Sequence, residues 1–76
     1  MPVVHHFANC RVTINLKDHA PPHFHVILSD GREVWVAIAT LEILHGKVAA
    51  REIAEVLAWA GSNQAMLADR FEELAQ

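Results

Sequence analysis

Pro21 and Pro22 constrain this chain more than any other pair of residues. Adjacent prolines fix two φ angles and remove two backbone donors, so no strand ladder runs through them. Ala20 and Pro21, each followed by a proline, are also pushed toward extended conformations. Before this break, Arg11 to Leu16 alternates: Val12, Ile14 and Leu16 point one way, Arg11, Thr13 and Asn15 the other. That is the pattern of a half-buried strand. After it, His23 to Ser29 alternates again, with Phe24, Val26 and Leu28 opposite His23, His25 and Ile27. Lys17 to Pro22 is then a stiff, extended connector between two strands.

Asp30-Gly31 marks a hairpin turn, and its loop length decides which faces meet, because one residue of slip reverses them. A two-residue loop would pair Leu28 with Glu33 and set the histidines beside Val34 and Val36. A three-residue loop, Ser29-Asp30-Gly31 with Gly31 left-handed, pairs Leu28 with Arg32 and Val26 with Val34. It gathers Phe24, Val26, Val34, Val36 and Ile38 into one apolar face and sets His25 opposite Trp35, and is preferred for that reason. Residues 1–9 read as a lead-in, with Val3, Val4 and Phe7 able to pack, and Leu41 to Leu44 as a short further strand.

From residue 49 the period changes. Ile53, Val56, Leu57 and Ala60 form a helical stripe over 49–60, opposite Arg51, Glu52 and Glu55. No Ser, Thr, Asp or Asn stands at its start as a cap. Gly61 closes it in the C′ manner. Ser62 or Asn63 caps a second helix, 63–75, with Met66 or Leu67, Phe71 and Leu74 on its stripe. The expected fold is α+β, one domain over 1–76: a two-layer antiparallel meander of three or four strands with two C-terminal helices on one face. The other face stays open, carrying Arg11, Thr13, Asn15, His23, His25, Ile27, Glu33 and Trp35.

The chemistry is concentrated in Asp18-His19-Ala20-Pro21-Pro22-His23-Phe24-His25. His23 and His25 are two apart on a strand and share a face. Asp18 and His19 lie just before the rigid diproline. Three imidazoles and a carboxylate suit a divalent transition metal such as zinc, and so His19, His23, His25 and Asp18 are the candidate metal ligands. Two other readings stand beside it. His19 and His23 can donate hydrogen bonds to loop carbonyls, while His25 stacks on Trp35 as a cross-strand pair. A histidine beside Asp18 is also suited to acid–base work. Ser29 and Ser62 lie in no nucleophile motif, and no catalytic residue is assigned. His5 and His6 read as exposed lead-in residues, and Trp59 as a core or interface anchor.

Composition bounds the remaining choices. The 76 residues are 53% hydrophobic with a single cysteine, so no internal disulfide supports a small core. That apolar fraction points to burial against a protein partner or a second copy. Asp18, His19, His23, His25 and Trp35 form the candidate binding surface. The net charge is −3 and the acids are concentrated after residue 47, so there is no basic stripe for nucleic acid. No targeting signal is recognised, and the Val34–Leu44 stretch is too short to span a bilayer. A cytoplasmic location is expected.

Met-Pro at the start, Phe7, the Asp18–His25 block, and Leu41-Glu42-Ile43-Leu44-x-Gly46-Lys47 followed by a helix ending in Trp59 together resemble DUF4160, a family of short bacterial proteins of unknown function. The likeness runs to about Trp59 and is most specific in the His/Pro block. Ala49 stands where a proline is frequent in the family. The resemblance implies a small cytoplasmic protein, often encoded beside another small domain in a toxin–antitoxin-like arrangement, and a regulatory or binding module acting through a protein partner. It carries over no catalytic residue or cofactor. A metal-binding protein or small metal-dependent hydrolase or nuclease is the alternative.

Overall fold

The alternating stretches on either side of the diproline form antiparallel strands. The computed structural model describes residues 3–75. Its strands are β1 (Val3–His6), β2 (Cys10–Thr13), β3 (His23–Leu28), β4 (Glu33–Ala37) and β5 (Ile43–His45), paired in chain order as one antiparallel sheet. A 3-10 turn over Ala50–Ile53 leads into α1 (Ala54–Gly61) and then α2 (Gln64–Ala75).

The β3–β4 hairpin takes the three-residue loop. Val26 pairs with Val34 and His25 with Trp35, the Leu28 N–H donates to the Arg32 carbonyl at 2.9 Å, and Gly31 sits at φ 97°. This register puts Val12, Phe24, Val26, Val34 and Val36 on one face, and all five are fully buried. Ile53, Val56, Ala60, Leu67 and Phe71 from the helical half join the same cluster. Each large apolar side chain so buried contributes about 1.5–3 kcal/mol. Cys10 belongs to this cluster, and burial, with Glu55 nearby, pushes its thiol pKa up. It is a core residue.

Several expectations are corrected. Among the described residues the sheet has five strands, because part of the lead-in is β1, which pairs with β2 through a register shift. Val-Val-His-His does not alternate, and this edge strand is held by main-chain pairing, which leaves no periodic trace. Met1 and Pro2 of the opening motif lie outside the described residues. The strand expected over Arg11–Leu16 ends at Thr13. Ile14 is still buried, but Leu16 is 64% exposed where a core position was expected. The last strand is Ile43–His45, not Leu41–Leu44, because Leu41 at φ 63° turns the chain first. The first helix is a 3-10 turn followed by a true helix only from Ala54. Gly61 stays helical, and the cap is Ser62, which donates to the Ala60 and Trp59 carbonyls. The Asn63 side chain turns back to the Trp59 carbonyl at 2.8 Å instead of capping α2.

The missing N-cap at residue 49 is replaced from within. Glu52 accepts from the Ala49 N–H at 2.8 Å and holds Arg32 through both carboxylate oxygens, at 2.7 and 3.2 Å. Arg32 also binds Asp30 at 2.8 Å, so the hairpin tip is tied to the helix start. The Arg32 guanidinium first, then the Ala49 N–H, hold the Glu52 carboxyl down to about 2. An unfolded glutamate titrates near about 4.3, so this contribution is complete above that pH and is lost as pH falls from there toward 2. Glu52→Gln is expected to lower the urea midpoint at neutral pH and to flatten its decline through the acid range. Equal slopes for variant and wild type would show that the tie carries no stability.

Candidate metal centre

The site is built on the sheet face opposite Phe24, Val26, Val34 and Val36, where the His23 ring centroid also lies 5.7 Å from that of Phe71 on α2. Thr13, His25, Trp35 and His45 stand directly across from one another on β2, β3, β4 and β5, and His23 lies two residues along β3. The open face expected there is not open. His23 is 5% and His25 2% exposed. After Ile14 the chain folds back over these rings, turns at Lys17 (φ 57°), and ties the Lys17 N–H to the Leu74 carbonyl at 2.7 Å. A left-handed lysine is strained by roughly 1 kcal/mol or more, and the surrounding contacts hold it there. The turn delivers Asp18 onto the histidines.

The second ring nitrogens define the protonation pattern. His23 Nδ1 lies 2.8 Å from the Pro21 carbonyl, which only accepts, so Nδ1 carries the proton. His25 Nδ1 donates to Glu33 Oε2 at 2.8 Å, and the same oxygen accepts from Trp35 Nε1 at 2.8 Å. His25 first, then Trp35, pull the Glu33 carboxyl below its usual range, which keeps it an acceptor. Both imidazoles therefore turn Nε2 inward. Asp18 Oδ2 is 2.8 Å from His25 Nε2 and 3.2 Å from His23 Nε2, and the three ligand atoms all lie within 4.8 Å of one another.

A second proton on His25 would satisfy its contact with Asp18 as an ion pair. It would leave His23 Nε2, which is buried and, among the described residues, has no partner in hydrogen-bond geometry. A cation shared by all three atoms satisfies both nitrogens and the carboxylate together. Ligands of one tetrahedral zinc stand about 3.4 Å apart. Asp18 would therefore draw back by several tenths of an ångström, and the two Nε2 atoms, which lie within 4.8 Å of each other, would close toward that spacing. Asn15 stands beside the cluster: its Nδ2 is 3.3 Å from His25 Nε2, while its Oδ1 is buried with no partner among the described residues. Those two amide atoms are interchangeable by a flip.

A cavity of about 300 Å³ opens in front of this cluster, lined by Asp18, His19, Ala20, Pro21, His23, Trp35, Leu44 and His45. Of the candidate ligands named from sequence, Asp18, His23 and His25 converge, whereas His19 is exposed and lines the cavity beside them. Trp35 is half-buried, its ring centroid 5.1 Å from that of His25 and 4.5 Å from that of His45. The other two readings of the histidines hold in part: His23 does bond a loop carbonyl, and His25 does lie against Trp35. Glu33, Asn15 and His45 were not named as site residues. The preferred hairpin register places Glu33 diagonal to His25, so Glu33 was within reach of sequence reasoning. His5 is exposed and stacks on the half-buried Trp59 at 4.9 Å, remote from this cluster in the sheet order.

A family model described as a domain of unknown function, DUF4160, matches residues 10–72. The chain belongs to the DUF4160 family. The matched span includes every residue of the cluster, from Asp18 to His45, so this part of the DUF4160 domain carries the whole candidate centre. No curated protein and no solved structure matches the chain. Among the described residues, no helix is long and apolar enough to cross a membrane.

Proposed function

We propose that this DUF4160 domain binds a divalent transition metal, zinc or ferrous iron, through Nε2 of His23, Nε2 of His25 and a carboxylate oxygen of Asp18. The observation that carries the reading is His23 Nε2: a buried ring nitrogen, without a hydrogen-bond partner among the described residues, turned to 3.2 Å from Asp18 Oδ2 by the bond its other nitrogen makes to Pro21. Two imidazoles and one carboxylate are a ligand set for such ions, and one that keeps coordination positions open. The Nδ1 bonds to Glu33 and Pro21 are the partners that metal-bound histidines use to fix their tautomer and direction. An acidic partner on His25 also raises its strength as a donor.

The reading through a protein partner drew on an exposed aromatic, the high apolar fraction and the absence of a nucleophile. Both imidazoles are buried and Trp35 is half-buried, so a partner on this face would meet the cavity rim rather than the rings. A covered, convergent donor set favours an ion.

Purified, untagged protein is expected to take up one equivalent of cobalt(II) with visible d–d absorption of a low-coordinate site. Zinc is expected to displace the cobalt. Zinc at about a hundred times its Kd should stabilise the fold by about 2.7 kcal/mol, which for a domain of this size raises Tm by more than about 10 °C. Absence of both the absorption and the Tm shift at neutral pH would refute metal binding.

A further inference from the structure

We propose that the cavity in front of the metal centre is an oxyanion site, taking a small carboxylate or phosphate on the open face of the ion with His19 and His45 donating from the rim. This rests on the metal reading and deepens it. The ion would have a back and a front. His25 lies behind, its Nδ1 held by Glu33, and is absent from the cavity wall, whereas Asp18 and His23 line the cavity. Coordination positions left free by three protein donors therefore face the cavity.

The charge of the lining selects the ligand. Asp18 is the sole carboxylate among the lining residues, and the ion would claim it. A divalent ion with one carboxylate and two neutral imidazoles keeps a net positive charge at the cavity floor. The remaining polar lining residues are His19 and His45, each able to donate an N–H, with no carboxylate to compete for the ligand. Ala20, Pro21, Trp35 and Leu44 form apolar walls, with no competing charge of their own. About 300 Å³ lies at the lower end of ligand pockets, so the occupant is small, with a short apolar body beside its charged end. His45 is held in place by Trp35, its strand neighbour on β4.

The test uses the full chain loaded with cobalt(II) and reads the d–d spectrum while acetate, or separately inorganic phosphate, is added. A saturable spectral change at millimolar anion is expected, and the stronger of the two responses identifies a carboxylate or a phosphate as the ligand. His45→Ala and His19→Ala, the latter on the exposed connector, should each weaken the response about tenfold. Cobalt bound with no response to either anion overturns the oxyanion site and leaves the metal reading standing. Failure to bind cobalt overturns both. A full response in both variants overturns the assigned rim.

Discussion

His25→Ala is expected to cost at least about a hundredfold in zinc or cobalt affinity, because even the loss of a hydrogen-bond partner to a metal-bound histidine costs 10–100-fold. His25 is the only donor of the three with a carboxylate on each ring nitrogen, at 2.8 Å both times. Its removal takes away one ligand and leaves Asp18 and Glu33 without their shared cation or proton. The zinc-dependent rise in Tm should vanish with it. Glu33→Gln tests the same line without touching a ligand. The amide can still face His25, but it presents no anion, so affinity should fall by about 10–100-fold while one equivalent still binds. Competition against a colorimetric chelator measures both. If His25→Ala retains wild-type affinity while folded, as judged by circular dichroism, the ion does not sit where the three atoms converge. If Glu33→Gln equals wild type, Glu33 has no part in directing the ring.

The second large effect is expected at Gly46. Its φ is 94°, and a Cβ built there would stand 2.4 Å from the Glu33 carbonyl oxygen and 3.1 Å from Val34 Cα. Both are backbone atoms of the neighbouring strand and cannot step aside cheaply. Gly46→Ala therefore combines a left-handed alanine with a main-chain clash, and a loss of about 3 kcal/mol or more is expected. Gly31 gives the contrast. At φ 97° it has the same conformational demand, but nothing lies within 4 Å of the added carbon. Gly31→Ala should cost only about 1 kcal/mol. Urea unfolding of the two variants side by side measures the difference, and equal losses would show that backbone conformation alone governs both positions. Gly46→Ala should also displace β5 from β4 and so move His45 away from Trp35, which would dull any response at the cavity mouth.

Much of the centre was legible before any coordinates. The period of two on each side of the diproline put His23 and His25 on one face, and Asp30-Gly31 with the apolar residues beyond it selected the register that sets His25 against Trp35. Those are local properties: alternation and turn chemistry act over a few residues, and the apolar face had one self-consistent solution. The helical stripe through Ile53, Val56 and Ala60 was readable for the same reason. The 3-10 start was not, because its cap comes from Glu52 bridged to Arg32 on a different element.

Alternation in the chain placed His23 and His25 on a common sheet face, and the Asp18–His25 block named the donors from which three converge. Tertiary structure alone decided that this face is roofed. The path of Leu16 to Pro22 depends on the Lys17 bond to Leu74 at the far end of the chain, a contact no period or motif encodes. That return brings Asp18 to the imidazoles and turns three side chains on an open surface into a buried, convergent set. Burial matters physically because it removes the water that would otherwise satisfy His23 Nε2, and a ring nitrogen deprived of water needs a proton donor or a cation.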